Sequence, residues 1–152
     1  MEKEITKVSP NGLKFIIQEE GMILHPYLDS VKVPTIGVGC TYYEGGQKVK
    51  MTDPAITKER AEQLFANLLK HYELAVYSNT RDDITQNEFN ALVSLCFNIG
   101  VNGFKGSTLL KRVNDKSDAS LIEKGFQMWK NAGGKPILLG RRNREFKLYT
   151  TK

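Results

Sequence analysis

The chain has 152 residues and a formal net charge of +5, with 40% of its residues apolar and 26% charged. That length fits one domain with a sizeable core, and no apolar run approaches the ~18 residues that a membrane helix needs. The charge points to anionic partners, yet zinc-finger spacing, an aromatic ribonucleoprotein box and a long basic helix are all missing, so nucleic acid is not the expected one.

The opening MEKEITKVSPNGLKFII mixes both charge signs and lacks the apolar stretch and small-residue cleavage site of a signal peptide. A protein that starts in the cytoplasm, with no stable membrane insertion, is expected. Ser9-Pro10 reads as a helix start, with serine as N-cap and proline at the first position. Leu13, Ile16 and Ile17 follow at helical spacing, and Gly21 is a natural stop. Glu20 falls in the last turn, where the negative end of the helix dipole disfavours a charged carboxylate and so suits a proton donor.

From Leu28 to about Asp53 the texture changes to Gly, Pro, Tyr, Thr and Val. Thr35 to Thr41 reads as a strand with Ile36, Val38 and Cys40 on one face and Thr35, Gly37, Gly39 and Thr41 on the other. A face of threonine and glycine packs poorly in a core and suits a closely lying ligand. Glu44-Gly45-Gly46-Gln47 reads as a hairpin turn returning through Lys48-Val49-Lys50. Across this stretch Glu20, Asp29 and Thr35 offer two carboxylates and a hydroxyl, the groups that cleave a glycosidic bond.

Thr57 caps a long helix whose stripe is Ala61, Leu64, Phe65, Leu68, Leu69, Tyr72 and Val76. Thr85-Gln86-Asn87-Glu88 is a capping box that opens a helix through Phe89, Leu92, Val93, Cys96 and Phe97 to Gly100. Shorter helices are expected after Ser107, around Leu121 to Trp129 and around Arg141 to Tyr149, with Trp129 in the core. Cys40 and Cys96 lie in apolar surroundings and are expected as free buried thiols. Two cysteines and two histidines in four separate places form no zinc site, and no cofactor is expected. The fold class is α+β, one small sheet lobe of about residues 22–56 and one helical lobe of about 77–152 plus the N-terminal helix, within a single domain of 1–152 and with a cleft between the lobes.

These residues carry a family resemblance. Glu20-Gly21, Tyr27-Leu28-Asp29 and Thr35-Ile36-Gly37-Val38-Gly39 are similar to the catalytic segment of the phage-type lysozymes, glycoside hydrolase family 24, the endolysins of lambdoid and T-even phages. Gln86 to Gly100 resembles that family's central helix and Ser107-Thr108-Leu109-Leu110 its next segment. Trp129, Gly133-Gly134, Leu139-Gly140-Arg141-Arg142 and Glu145 resemble its C-terminal signature. The blocks run in order from about residue 13 to 149.

The resemblance implies a lysozyme-like fold and a muramidase that hydrolyses the β-1,4 bond between N-acetylmuramic acid and N-acetylglucosamine. It implies Glu20 as general acid, Asp29 as the base that activates water and Thr35 as a holder of that water, in an inverting reaction. Gly37 and Gly39 then keep a strand face clear for sugar, Phe97 and Asn98 reach the substrate, and Asn98 bonds an acetamido group. An arginine of the pair Arg141-Arg142, with Arg142 favoured, is implied to approach Glu20. The implied partners are peptidoglycan and a pore-forming phage holin that gives a monomeric enzyme access to the wall. The family commonly has histidine after Gly39; this chain has Cys40, which puts a structural ion pair in question rather than the chemistry. Two other readings stay open on the residues. A lytic transglycosylase needs the acid but not Asp29, and a wall-binding protein acts through its charge alone.

Overall fold

The computed structural model describes residues 4–152. The order of elements is α1 (Pro10–Glu20), β1 (Ile23–Leu28), β2 (Pro34–Gly37), α2 (Lys58–Asn79), α3 (Gln86–Ile99), α4 (Val101–Lys105), α5 (Thr108–Asn114), α6 (Ala119–Gln127) and α7 (Leu139–Thr150). The architecture is α+β: a helical chain with one two-stranded antiparallel sheet. It divides into two compact units, Leu13–Lys70 and, with the chain up to Gly12, His71–Lys152.

In the unit of Leu13–Lys70, the end of α1 is set by local chemistry. Gly21, at φ +84°, donates its N–H to Ile17 O at 2.7 Å and ends the helix one residue after Glu20. β1 and β2 then form a hairpin in which Tyr27 faces Thr35 and Leu28 faces Pro34, with an irregularity between Ile23 and Tyr27. Pro26 is tolerated because a two-stranded sheet has only edges. The apolar cluster beneath is Ile36, Cys40, Val49 and Leu64, with Tyr43, Ile56 and Leu68 against it.

The expected strand through Thr41 is not formed. β2 stops at Gly37, and the chain reverses so that Ile36 and Cys40 exchange backbone hydrogen bonds at 2.9 and 3.1 Å. Gly37 and Gly39 sit at φ +68° and +69°, a region that side-chain-bearing residues rarely adopt. Face alternation therefore fails past Ile36, and Thr35, Ile36, Gly37 and Val38 are all buried. The turn expected at Glu44–Gln47 is present, with Tyr43 N–H on Gln47 O at 2.9 Å. Glu44 also makes a two-pronged ion pair with Arg60 at 2.6 and 2.7 Å, tying this loop to α2.

In the other unit, capping explains where the helices start. Ser9 Oγ accepts from Gly12 N–H at 3.2 Å. Thr85 and Glu88 form the reciprocal capping box of α3, and Ser107 and Asp118 accept from Leu110 and Leu121 at the starts of α5 and α6. α3 is the centre, with every residue from Phe89 to Cys96 buried. α7 packs on α3 and α6, and α6 on α5. At Gly125 an added Cβ would come within 3.1 Å of the Leu109 Cα, so the α5–α6 approach requires glycine. Trp129 is half-buried rather than in the core, its ring lying over Gly103.

Candidate active site

Glu20 is exposed, as the last residue of α1. Asp29 follows β1 and is half-exposed. Its Oδ1 accepts from Val31 N–H at 2.9 Å and Val33 N–H at 2.8 Å, the side-chain turn that aspartate forms with its own backbone. The main chain closes the same loop: Asp29 N–H donates to Val33 O and Lys32 N–H to Asp29 O, both at 3.0 Å. With Oδ1 carrying two donors, Oδ2 is the oxygen that remains for chemistry.

Thr35 is only 2% exposed. Its Oγ1 donates to Val33 O at 2.8 Å. A hydroxyl has one hydrogen, so towards any further group Thr35 acts as an acceptor. Asp29 and Thr35 are thus clipped to the same residue, Val33, one through its N–H and the other through its carbonyl.

Tyr27 joins them. It lies directly across the hairpin from Thr35, so the two side chains share a face. Burial pushes the Tyr27 phenol above its ordinary value, and the nearby charges of Asp29, Cys40 and Glu20 add to the shift. Tyr27 thus faces Thr35 across the hairpin and lies within electrostatic reach of Asp29 and Glu20. The sequence signal for Tyr27 is its position two residues before the aspartate, in a strand.

Gly37 and Gly39 have different surroundings. A Cβ at Gly37 would meet the Ala61 Cβ at 3.5 Å, so this glycine lies against α2, whereas Gly39 has nothing within 4 Å and is exposed. Cys40 is 2% exposed, and its thiol is pushed up to about 11 by burial. It fills the apolar cluster beneath the hairpin and offers no nucleophile.

Phe97, Asn98 and Arg142 belong to the other unit. Phe97 meets Tyr72 edge-on, the ring centres 5.0 Å apart. Arg142 is 0% exposed and donates through a terminal guanidinium nitrogen to Asn98 Oδ1 at 2.8 Å. Its Nε stands 2.9 Å from Glu145 Oε1. Glu145 Oε2 receives Ser94 Oγ at 2.5 Å and Arg141 Nε at 3.1 Å. Burial pushes the Glu145 carboxyl up, while Arg142, Ser94 and Arg141 pull against it. Arg141 and Arg142 are therefore interior groups. The bond from Arg142 to the Asn98 oxygen fixes which end of that amide faces the guanidinium. Among the described residues no group of three or more His, Cys, Asp or Glu side chains could hold a metal ion.

Comparison with known proteins matches the Phage lysozyme family model over residues 17–145. The chain is 41% identical to the endolysin of Salmonella phage P22 over 144 residues, which covers 94% of this chain and 97% of that one. Its fold superimposes on a P22 lysozyme mutant with a TM-score of 0.89 at 39% identity, covering 97% and 100% of the two chains. It superimposes on the muramidase domain of SpmX from Asticaccaulis excentricus with a TM-score of 0.78 at 29% identity, covering 97% and 100%.

Proposed function

The chain belongs to the phage lysozyme family and is a glycoside hydrolase of lysozyme type, and from that premise we propose an endolysin of glycoside hydrolase family 24, in the lambdoid and T-even group. It is a muramidase that hydrolyses the β-1,4 bond between N-acetylmuramic acid and N-acetylglucosamine and so lyses the host cell. The observation that carries this reading is the turn in which Asp29 spends one oxygen on two backbone amides while Thr35 Oγ1 is fixed on Val33 O. Glu20 protonates the leaving oxygen. Asp29 Oδ2 takes a proton from water, and Thr35 Oγ1 accepts the other water hydrogen, which turns the oxygen lone pair towards the anomeric carbon. A separate water between the two carboxyl groups makes the reaction inverting, for which a spacing of about 6.5–9.5 Å is required.

Asn98, with its oxygen on Arg142, donates to an acetamido carbonyl of the substrate, Phe97 lies beside that position, and Gly39 leaves room for sugar. Among the described residues no helix is long and apolar enough to cross a membrane. The likeness to phage endolysins supports a monomer that accumulates in the host cytoplasm and reaches the wall through a pore made by a holin.

Mass spectrometry of fragments from purified peptidoglycan tests the reading. The expected product has a reducing muramic acid end, formed by wild type and lost in Glu20→Gln. An anhydro end would assign a transglycosylase instead, and equal lysis by both proteins would leave only a wall-binding role.

A further inference from the structure

One cluster of polar side chains takes no direct part in cleavage. Residues 7–9, just ahead of α1, are held by three side chains that lie 65 to 81 positions along the chain. Glu73, buried on α2, accepts from Val8 N–H at 2.7 Å. Gln86, at the start of α3, donates to Lys7 O at 3.1 Å. Asn90 of α3 is 0% exposed. Its oxygen accepts from Ser9 N–H at 3.2 Å and from Gln86 at 2.8 Å, and its nitrogen donates to Ser9 Oγ at 2.9 Å. The same Ser9 Oγ takes Gly12 N–H in the first turn of α1. Gly12 lies against the amide, since a Cβ there would come within 2.4 Å of the Asn90 Cγ. Backbone ahead of a helix is ordinarily satisfied by water or by local caps. Here an enclosed amide does it, and enclosing an amide is unfavourable unless its bonds are made.

We propose that Asn90 is a positioning residue for Glu20, acting through α1. This rests on the reading of Glu20 as general acid and adds what fixes its place. α1 runs unbroken from Pro10 to Glu20, eleven residues. Each residue of a helix advances it by about 1.5 Å and turns it by about 100°. A slip of one residue at the anchored start would therefore swing the Glu20 side chain by about 100°. Ile16 is buried and holds α1 down, but apolar burial is non-directional and tolerates small rotations and slides. Hydrogen bonds are directional. Ser9 fixes α1 along its axis, and the close fit of Gly12 against the amide fixes which way the helix is turned. The far end adds no such hold, because an added Cβ at Gly21 would meet nothing within 4 Å. Precision of this kind matters for a proton donor, since a misplacement of about 1 Å can lower a rate about 10²-fold.

The test is a double-mutant cycle of Asn90→Ala and Glu20→Gln, read as kcat and KM on soluble peptidoglycan strands. It is run at a temperature where circular dichroism shows each variant folded. Asn90→Ala alone should lower kcat about tenfold and leave KM near wild type, the mark of an interaction realised only in the transition state. In the Glu20→Gln background the same substitution should cause no further loss, because no acid remains to be misplaced. Ser9→Ala removes the hydroxyl that the amide holds and leaves Asn90 in place. It should show the same pattern with a smaller loss, and it carries the test if Asn90→Ala does not fold. Equal losses in the two backgrounds would make Asn90 a residue of general stability and overturn the proposal. A kcat unchanged in Ser9→Ala and in folded Asn90→Ala would overturn it as well. Glu20→Gln as active as wild type would remove the acid reading and the proposal with it, an outcome visible before Asn90 is touched.

Discussion

In the unit of Leu13–Lys70, Asp29 rests one oxygen on two backbone N–H groups of a turn and keeps the other side open to solvent. In the other unit Glu145 is wholly buried, and both of its oxygens are engaged by Arg141, Arg142 and Ser94. The contrast follows from the surroundings. Near water, peptide dipoles suffice to orient a carboxylate and need not surround it, so an oxygen stays available to react. Away from water, a charge needs counterions, and Glu145 has them in Arg141 and Arg142. Glu145 orders the α3–α7 contact and, through Arg142, the Asn98 amide. Asp29 is held on one side only.

Substitutions should tell the two carboxylates apart. The largest effect is expected from Asp29→Asn and Glu20→Gln, which should lower kcat by about 10²–10⁴, the usual contribution of a general base or acid. The amide oxygen of asparagine can take over the two turn bonds, so Asp29→Asn should melt close to wild type in a calorimeter. Wild-type clearing of permeabilised cells by Asp29→Asn would remove Asp29 from the chemistry and make it a turn residue only. Glu145→Ala should do the reverse. Two buried arginines lose their counterion, and urea titration should show a loss of about 3–5 kcal/mol, the cost of breaking a buried pair from one side. An unfolding midpoint equal to wild type would show that water already reaches that cluster.

Smaller effects are expected beneath the hairpin. Gly37→Ala puts a Cβ on a residue at φ +68° and beside Ala61, and should cost about 1–2 kcal/mol in the same titration. The two thiols then set the alkaline behaviour. Burial raises Cys40 to about 11 and Cys96 to about 12, against an ordinary 9.0. Below pH 9.0 both thiols are neutral whether the chain is folded or not. Above it the unfolded chain loses thiol protons that the folded one keeps, so stability should fall as pH rises from about 9 towards 11–12. Melting temperatures of wild type and Cys96→Ala across that window check the sign: the variant should show the shallower decline.

Much of this was readable in the residues. Ser9, Thr57, Thr85 with Glu88, and Ser107 mark helix starts because an oxygen one residue before a helix satisfies amides that nothing else can reach. The placing of Glu20, Asp29 and Thr35 within one short stretch was equally plain. What stayed hidden has physical reasons. The strand past Gly37 failed because a period-two pattern in Ile36, Val38 and Cys40 also fits a tight reversal, and only backbone angles separate the two. β1 was obscured by Pro26, which an edge strand accommodates. Helix α4, Val101–Lys105, has too few residues to show a period. The burial of Arg141 and Arg142 depended on a partner across the packing, Ser94 on α3. Its one local sign was Glu145 at three and four residues' distance, the spacing at which helical side chains meet.

The shared hold of Asp29 and Thr35 on Val33 also works as a ruler. Asp29 closes on the amide of residue 33, and Thr35 returns to the carbonyl of that same residue. Adding or deleting one residue between positions 29 and 35 would therefore break both clips together. No compensating substitution elsewhere could restore the offset, because the loop length itself carries the information. The reversal at Tyr43–Gln47 carries none of these side chains and can absorb a change in length. In this hairpin the count of residues between the clips sets the offset of the two side chains.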